Sequence, residues 1–371
     1  MCILHSVNEW RKHPMKKLKS LLALVLALSM ALALTACGTA PAKPDGEADS
    51  DGRTEPLVIS FGSCAADTDM LSLIAYKFAE LLDERSGGML QIDYYGGSKL
   101  GNETEMLDQI LTGSLDMGCI SVNVCSQVWP DLGVFSLPFA FDDEQMFWDV
   151  SYDEDFLAAT KNVYESTGDV VYVGPYFVGF RHIQNSKHAI RQLSDFSDLT
   201  FRVMAGQIYT DTYNALGAAT DAISFDELYT ALQQHVVDGE DCTVFTAYLQ
   251  GFFDVEKYET QLNMTAASNP LIIARSTWEK MTEDEQALFM ECYQEAEQYG
   301  IPQSAAYVDE YTQKAIDEKG VEVILRDELS DEVMDEFRTA VQPVWDKYSQ
   351  SVSPEYYQAF LDACARVRGE A

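Results

Sequence analysis

The stretch Ala215–Asp241, ALGAATDAISFDELYTALQQHVVDGED, reads as one strand–helix unit of an α/β domain. Gly217 ends a helix over roughly 208–216, because glycine takes the left-handed turn that closes a helix C-terminus. DAIS, residues 221–224, is a short strand. Ser224 and Glu227 have the spacing of a capping box, which opens a helix over 225–236. An acidic run then surrounds Gly239. No nucleophile, base or metal cluster falls inside the stretch, so it is built to frame a site and not to perform chemistry.

Upstream, the same alternation recurs. LVIS at 57–60 is a strand, and Leu71, Ile74, Ala75, Phe78, Leu81 and Leu82 fall at helical spacing before Gly87-Gly88. MLQIDYY is a strand; Asn102 and Glu105 form a capping box for a helix reaching Gly113; LDMGCIS is another strand. This β-α-β-α-β order is that of a parallel sheet. DVVYVG at 169–174 and FRVM at 201–204 are further strands, Thr282 and Glu285 open a long acidic helix reaching as far as Glu318, VEVI is a late strand, and the tail is helical. The expected fold is α/β, two-lobed, of the periplasmic-binding-protein kind, with a cleft onto which strand ends and helix N-termini point.

At the N-terminus, Lys16, Lys17 and Lys19 precede the apolar run Leu21–Leu34, which ends in LTAC at 34–37. A basic head, an apolar centre and small residues at a cut site make a secretory signal. The run is shorter than the roughly 20 residues a spanning helix needs. Cys37 at the cut has the setting of a lipobox, where it is lipidated and becomes the new N-terminus; a plain signal peptide or an anchor helix stays open as the alternative. Met15 is the natural start. Residues 1–36 are read as signal and 37–56 as a lipid-anchored, acidic, flexible linker. Lobe I is expected over 57–178, with 266–310 returning to it. Lobe II is expected over 179–265, with a helical tail, 311–371, packing across both lobes.

The chain carries 25 Lys+Arg against 60 Asp+Glu. Without residues 1–36, which hold five basic residues and Glu9, it keeps 20 against 59, a net of −39. That excludes nucleic acid as a partner and argues against an electrostatic grip on anionic lipid. Of eight cysteines, six lie beyond Cys37, with no C-x-x-C pair and no zinc spacing. No G-x-S-x-G or H-E-x-x-H motif is present, and His182, His188 and His235 are scattered. Neither a catalytic set, a metal nor an organic cofactor is expected.

GFRHIQNSKHAIRQLSDFSDLTFRV, 179–203, resembles the stretch of tripartite ATP-independent periplasmic (TRAP) transporter binding proteins, the DctP-like family, that runs G-F-R, N-S-K-R-P-I, then D-L-K-G-L-K-I-R-V. Residues 215–241 are similar to its A-L-G-A-x-P-x-P-M-x-F-x-E-V-Y-T-A-L-Q-x-G-V-V-D-G-Q-E-N. KFAELLDERSGGMLQIDYYGGSKLGNETEMLDQILTGSLDMGCIS and PDLGVFSLPFAF agree as well, and the likeness runs collinearly over roughly 57–324. The resemblance implies a solute-binding protein that captures a small organic acid for the small and large membrane subunits of a transporter, outside the cytoplasm. It places the principal carboxylate-binding arginine at Arg202, a second polar contact at Arg181 and a packing aromatic at Phe225. A guanidinium suits this role through its bidentate fork. Ser121 and Cys64 fall on ligand-facing positions. The chain departs from the pattern at Cys242, where the family's D-G-Q-E-N ends in an amide, and at Met204 and Ala189, where it has prolines. A thiol is a weak donor and does not replace an amide. The thiols fit a softer, less polar ligand or simply small side chains making room. A ligand-presenting sensor and an exported enzyme using the same cleft are the other functions left open.

Overall fold

The structure is a computed structural model that describes residues 53–370. The signal segment 1–36, Cys37 and most of the acidic linker lie outside the described residues. In chain order the main elements begin with β1 (Leu57–Gly62), α1 (Met70–Arg85), β2 (Leu90–Tyr95), α2 (Glu103–Leu111) and β3 (Met117–Cys119). There follow α3 (Glu144–Ser151), α4 (Glu154–Glu165), β4 (Val170–Gly174), β5 (Phe177–Asn185), β6 (Thr200–Val203), α5 (Gln207–Leu216), β7 (Ala219–Ala222), α6 (Phe225–Gln233), β8 (Gly239–Cys242) and α7 (Val244–Leu249). The chain continues through β9 (Tyr258–Ser268), β10 (Leu271–Ala274), α8 (Glu283–Lys319), β11 (Glu322–Ile324), α9 (Asp331–Ser349) and α10 (Pro354–Arg368).

The strands form two sheets, ordered β2-β1-β3-β10-β4 and β11-β9-β5-β8-β6-β7. β1 runs parallel to β2 and β3, and β6 runs parallel to β7 and β8, as the βα alternation requires. Two strand pairs pass from one sheet to the other. β4 leads through Pro175-Tyr176 into β5, and β9 leads through Asn269-Pro270 into β10. Each pair runs antiparallel, β10 with β4 and β5 with β9, and the Asn269 N–H donates to Tyr176 O at 2.8 Å between the crossovers. The exchange between sheets therefore falls at 175–176 and 269–270. The DVVYVG strand belongs to the first sheet, beside β10.

Side chains alternate across each sheet, so both faces are covered. Val170 and Tyr172 of β4 join one core with Phe147, Phe156 and the tail helices, whereas Val171 and Val173 join the other with α1, α7 and α8. α8, 37 residues long, extends roughly 55 Å at the helical rise. Its first half meets α1, with Phe289 and Tyr293 edge-on to Phe78 at 4.9 and 5.8 Å; its second half meets α7, with Tyr311 against Tyr248 at 5.2 Å. In the tail, α9 sets Phe337 against Phe196 beside α5, and α10 sets Phe360 between Phe141 and Phe156. Among the described residues no helix is long and apolar enough to cross a membrane.

The capping boxes of Asn102/Glu105 and Thr282/Glu285 are present, and Gly217 ends α5 at φ +100°. The box expected at Ser224 is not closed: its hydroxyl donates to the Glu227 side chain at 3.1 Å and caps no backbone N–H. The strand expected at 221–224 lies two residues earlier, at Ala219–Ala222. α6 stops at Gln233, short of Val236, with His235 in the left-handed region at φ +54°.

Candidate functional site

The loops after β1 and β3, the ends of β5 and β8, and the starts of α2, α6 and α7 converge on a cavity of about 80 Å³. Ser63, Cys64, Asp69, Glu103, Cys119 and Ser121 line it from the first sheet's side. Arg181, Met204, Phe225, Cys242, Thr243 and Thr246 line it from the second. Of the residues singled out from sequence, Cys64, Ser121, Arg181, Phe225 and Cys242 are brought together here. Arg202 lines an adjoining cavity of about 110 Å³, bounded in common by Glu103, Met204 and Phe225.

The two arginines differ in their partners. Arg181 on β5 donates from Nε to Asp241 Oδ2 at 2.8 Å and from Nη2 to Oδ1 at 3.2 Å and to the Asp241 carbonyl, and it lies 5.6 Å from the Tyr209 ring centre. Burial, the strongest influence, works against its charge, but Asp241 and Tyr209 together offset it and hold its pKa well above the ordinary arginine value. Its charge is already matched inside the protein. Arg202 on β6 is only 2% exposed; its Nε donates to Ile223 O at 2.7 Å, and its Nη1 has no partner. Burial, and then the neighbouring Arg181 charge, lower its pKa, with Glu240 and Asp241 opposing. A buried donor without an acceptor costs about 1–3 kcal/mol, more when charged. Arg202 thus keeps one buried donor without an acceptor among the described residues.

Sequence reading passed over Glu103, Asp69, Cys119 and Thr246. Glu103, the first residue of α2, accepts from the Ser121 N–H at 2.8 Å and the Ser121 hydroxyl at 3.2 Å. Burial raises its pKa, opposed by those two bonds and by Arg202 and Arg181. Ser121 therefore holds Glu103 in place. Asp69 caps α1 through the Leu71 N–H and accepts from Thr246 Oγ1, across the cavity, at 3.0 Å; burial raises its pKa to about 6. The helical capping spacing around Asn102 hid Glu103, since an acidic first turn is ordinary there. Cys64, Cys119 and Cys242 are all pushed well up by burial and stay protonated, so none has thiolate character. Cys242 is fixed by Gln184, whose Oε1 accepts its N–H at 3.0 Å and whose Nε2 donates to its carbonyl at 3.2 Å. No histidine lines either cavity, and no group of three His, Cys, Asp or Glu able to hold a metal occurs among the described residues.

Two sheets that exchange strands and enclose a cavity beside an unpaired buried guanidinium define a two-lobed solute-binding protein. The family model of bacterial extracellular solute-binding proteins, family 7 (DctP), matches residues 61–351, and the chain belongs to that family. It is 24% identical, over 85% of this chain and 88% of the relative, to the C4-dicarboxylate-binding protein DctB of Bacillus subtilis. It is 31% identical over 62% of its length to the uncharacterized protein y4mM of Sinorhizobium fredii, and spans 42% of that longer relative. Its fold is similar to that of a TRAP periplasmic solute-binding protein from Shewanella oneidensis with bound succinate: TM-score 0.77, 24% identity, 83% of this chain and 99% of that one. It is likewise similar to the sugar acid binding protein DctPAm of Advenella mimigardefordensis in complex with galactonate: TM-score 0.79, 24% identity, 84% and 99% covered.

Proposed function

We propose that the protein captures a small organic acid outside the cytoplasm and delivers it to the small and large membrane subunits of a TRAP transporter. The observation that carries this reading is Arg202: buried, held at Nε, and free at Nη1 beside the cavity. A ligand carboxylate would accept from it and stay shielded from water, where such a bond is strong. The relatives named as binding a C4-dicarboxylate, succinate or galactonate support an organic acid as the ligand class. The family is one of solute-binding proteins, which supports binding without turnover. Native mass spectrometry of gently purified protein is expected to find a retained carboxylic acid, absent from Arg202→Ala. An unchanged retained ligand in that variant would remove the proposal's footing.

The lipid anchor belongs to the same reading. LTAC at 34–37 followed by an acidic linker points to a lipidated Cys37. Cys37→Ser is expected to block processing or release the protein from the membrane fraction. A variant that is still processed and membrane-bound would rule the lipobox out.

A further inference from the structure

We propose that the ligand is a short monocarboxylate with an apolar or thioether tail, rather than a dicarboxylate or a hydroxyl-rich sugar acid. This names the ligand class within the capture role above and rests on it. The first argument is charge. Arg181 is matched by Asp241, and Arg202 shares its cavity with Glu103. No lysine or histidine lines either cavity. A first carboxylate can accept from Arg202 Nη1, but a second would enter beside Glu103 and Asp69 with no cation left to meet it. Like charges desolvated together repel strongly.

The second argument is the supply of hydrogen bonds. A sugar acid needs several donors and acceptors on the cavity wall, because a buried hydroxyl without a partner costs free energy. Here the hydroxyl donors of Ser121, Thr243 and Thr246 are already engaged. Ser121 donates to Glu103, Ser63 Oγ accepts the Ala65 N–H, and Thr243 donates to Thr246, which donates to Asp69. Of the rest of the wall, Asn269 offers one amide, while Cys64, Cys119, Val178, Met204, Phe225 and Cys242 are apolar and rich in polarisable sulfur. Thiols are weak donors and behave as small apolar groups when buried. The adjoining cavities of about 80 and 110 Å³ leave room for a small ligand only.

The test is calorimetric titration of the purified protein with three probes of equal chain length, pentanoate, 3-(methylthio)propanoate and glutarate, and with glucuronate. At least one of the two monocarboxylates is expected to bind about tenfold or more tightly than glutarate or glucuronate, the value of one hydrogen bond or better. Combining Cys64→Asn with Cys242→Asn is expected to shrink that preference by a similar factor. If the double variant does not fold, the ranking of the unaltered protein decides alone. Preference for glutarate or glucuronate, no binding of either monocarboxylate, or a ranking untouched in a folded double variant would each overturn the assignment. A co-purified dicarboxylate or sugar acid that is lost in Arg202→Ala would overturn the ligand class and leave the capture role standing. A ligand indifferent to Arg202 would remove the role itself.

Discussion

At the scale of single residues, the two arginines predict opposite phenotypes. Arg202 spends one donor on Ile223 O and keeps another free, so its loss should fall on binding. Arg202→Ala is expected to weaken the retained ligand by roughly 30-fold or more, from the 2–5 kcal/mol typical of breaking a buried charge pair. Arg202→Lys should recover only part, since an ammonium lacks the planar fork. Arg181 spends its donors on Asp241, whose side chain is 1% exposed. Arg181→Ala leaves that carboxylate buried without its cation, which typically costs about 3–5 kcal/mol of stability. Thermal unfolding without ligand separates the two: a large fall for Arg181→Ala, and little or none for Arg202→Ala. Equal falls would make Arg202 a structural residue. Arg202 was singled out through the resemblance to the TRAP binding proteins, which places an arginine at the end of the FRV strand. The Arg181–Asp241 pair was not, because its members are 60 residues apart and only the β5–β8 pairing joins them.

At the scale of elements, a buried polar row crosses β8, β5 and β9. Glu240 pairs in register with Gln184, and Gln184 with Glu259. Gln184 donates to Glu259 at 3.1 Å, while both oxygens of Glu240 and of nearby Glu256 lack partners. Burial raises all three, Glu259 to about 7 and Glu240 to about 8, with Glu256 also well above its ordinary value. Asp241 and Glu259 reinforce the rise of Glu240, and Arg181 and Arg202 oppose it. A carboxyl held higher in the folded state stabilises it below its unfolded pKa of about 4.5, and that contribution is lost as pH rises through the folded value. The ligand-free protein is therefore expected to lose melting temperature between pH 5 and about 8.5, and Glu240→Gln and Glu259→Gln to flatten the slope. A displacement of one pH unit is worth about 1.4 kcal/mol, roughly 2–4 °C in a chain of this size. A slope as steep in both variants would show that surface charge alone sets it. The same row explains what sequence periodicity missed. The parallel βα units stood out because their strands are short and bounded by capped helices. β5 and β9 did not, because their buried positions carry His182, Gln184, Glu259 and Gln261, which no apolar pattern flags. The helices α3 and α4, capped by Asp143 and Asp153, also escaped notice.

At the scale of the molecule, the cleft is closed by bonds between its two sides. Thr246 Oγ1 donates to Asp69 at 3.0 Å, and Asn123 Nδ2 donates to Ala205 O. Opening must turn about four connections, one of them the link from α9 to α10. Two are the crossovers at 175–176 and 269–270, the first of which is bonded through Pro175 O to the Tyr293 hydroxyl of α8. The fourth is α8, whose Pro302 lacks an N–H for the helical ladder between the half that meets α1 and the half that meets α7. Few residues need change conformation for such a hinge. Small-angle scattering is expected to give a smaller radius of gyration with ligand than without, and no compaction would argue for a rigid cleft. Thr246→Ala tests the latch separately from the anion site. It removes one hydrogen bond present only on closure, worth about 0.5–1.5 kcal/mol, so the closed fraction should fall and apparent affinity with it by roughly 2–10-fold. The saturated radius should stay that of the unaltered protein, because enough ligand still draws the lobes together. Arg202→Ala should instead leave the ligand-free radius unchanged and lose the compaction at ligand concentrations that close the unaltered protein. If Thr246→Ala changes neither affinity nor the concentration at which the molecule compacts, the Asp69–Thr246 bond merely accompanies closure, and the balance between open and closed rests on the ligand and the crossovers.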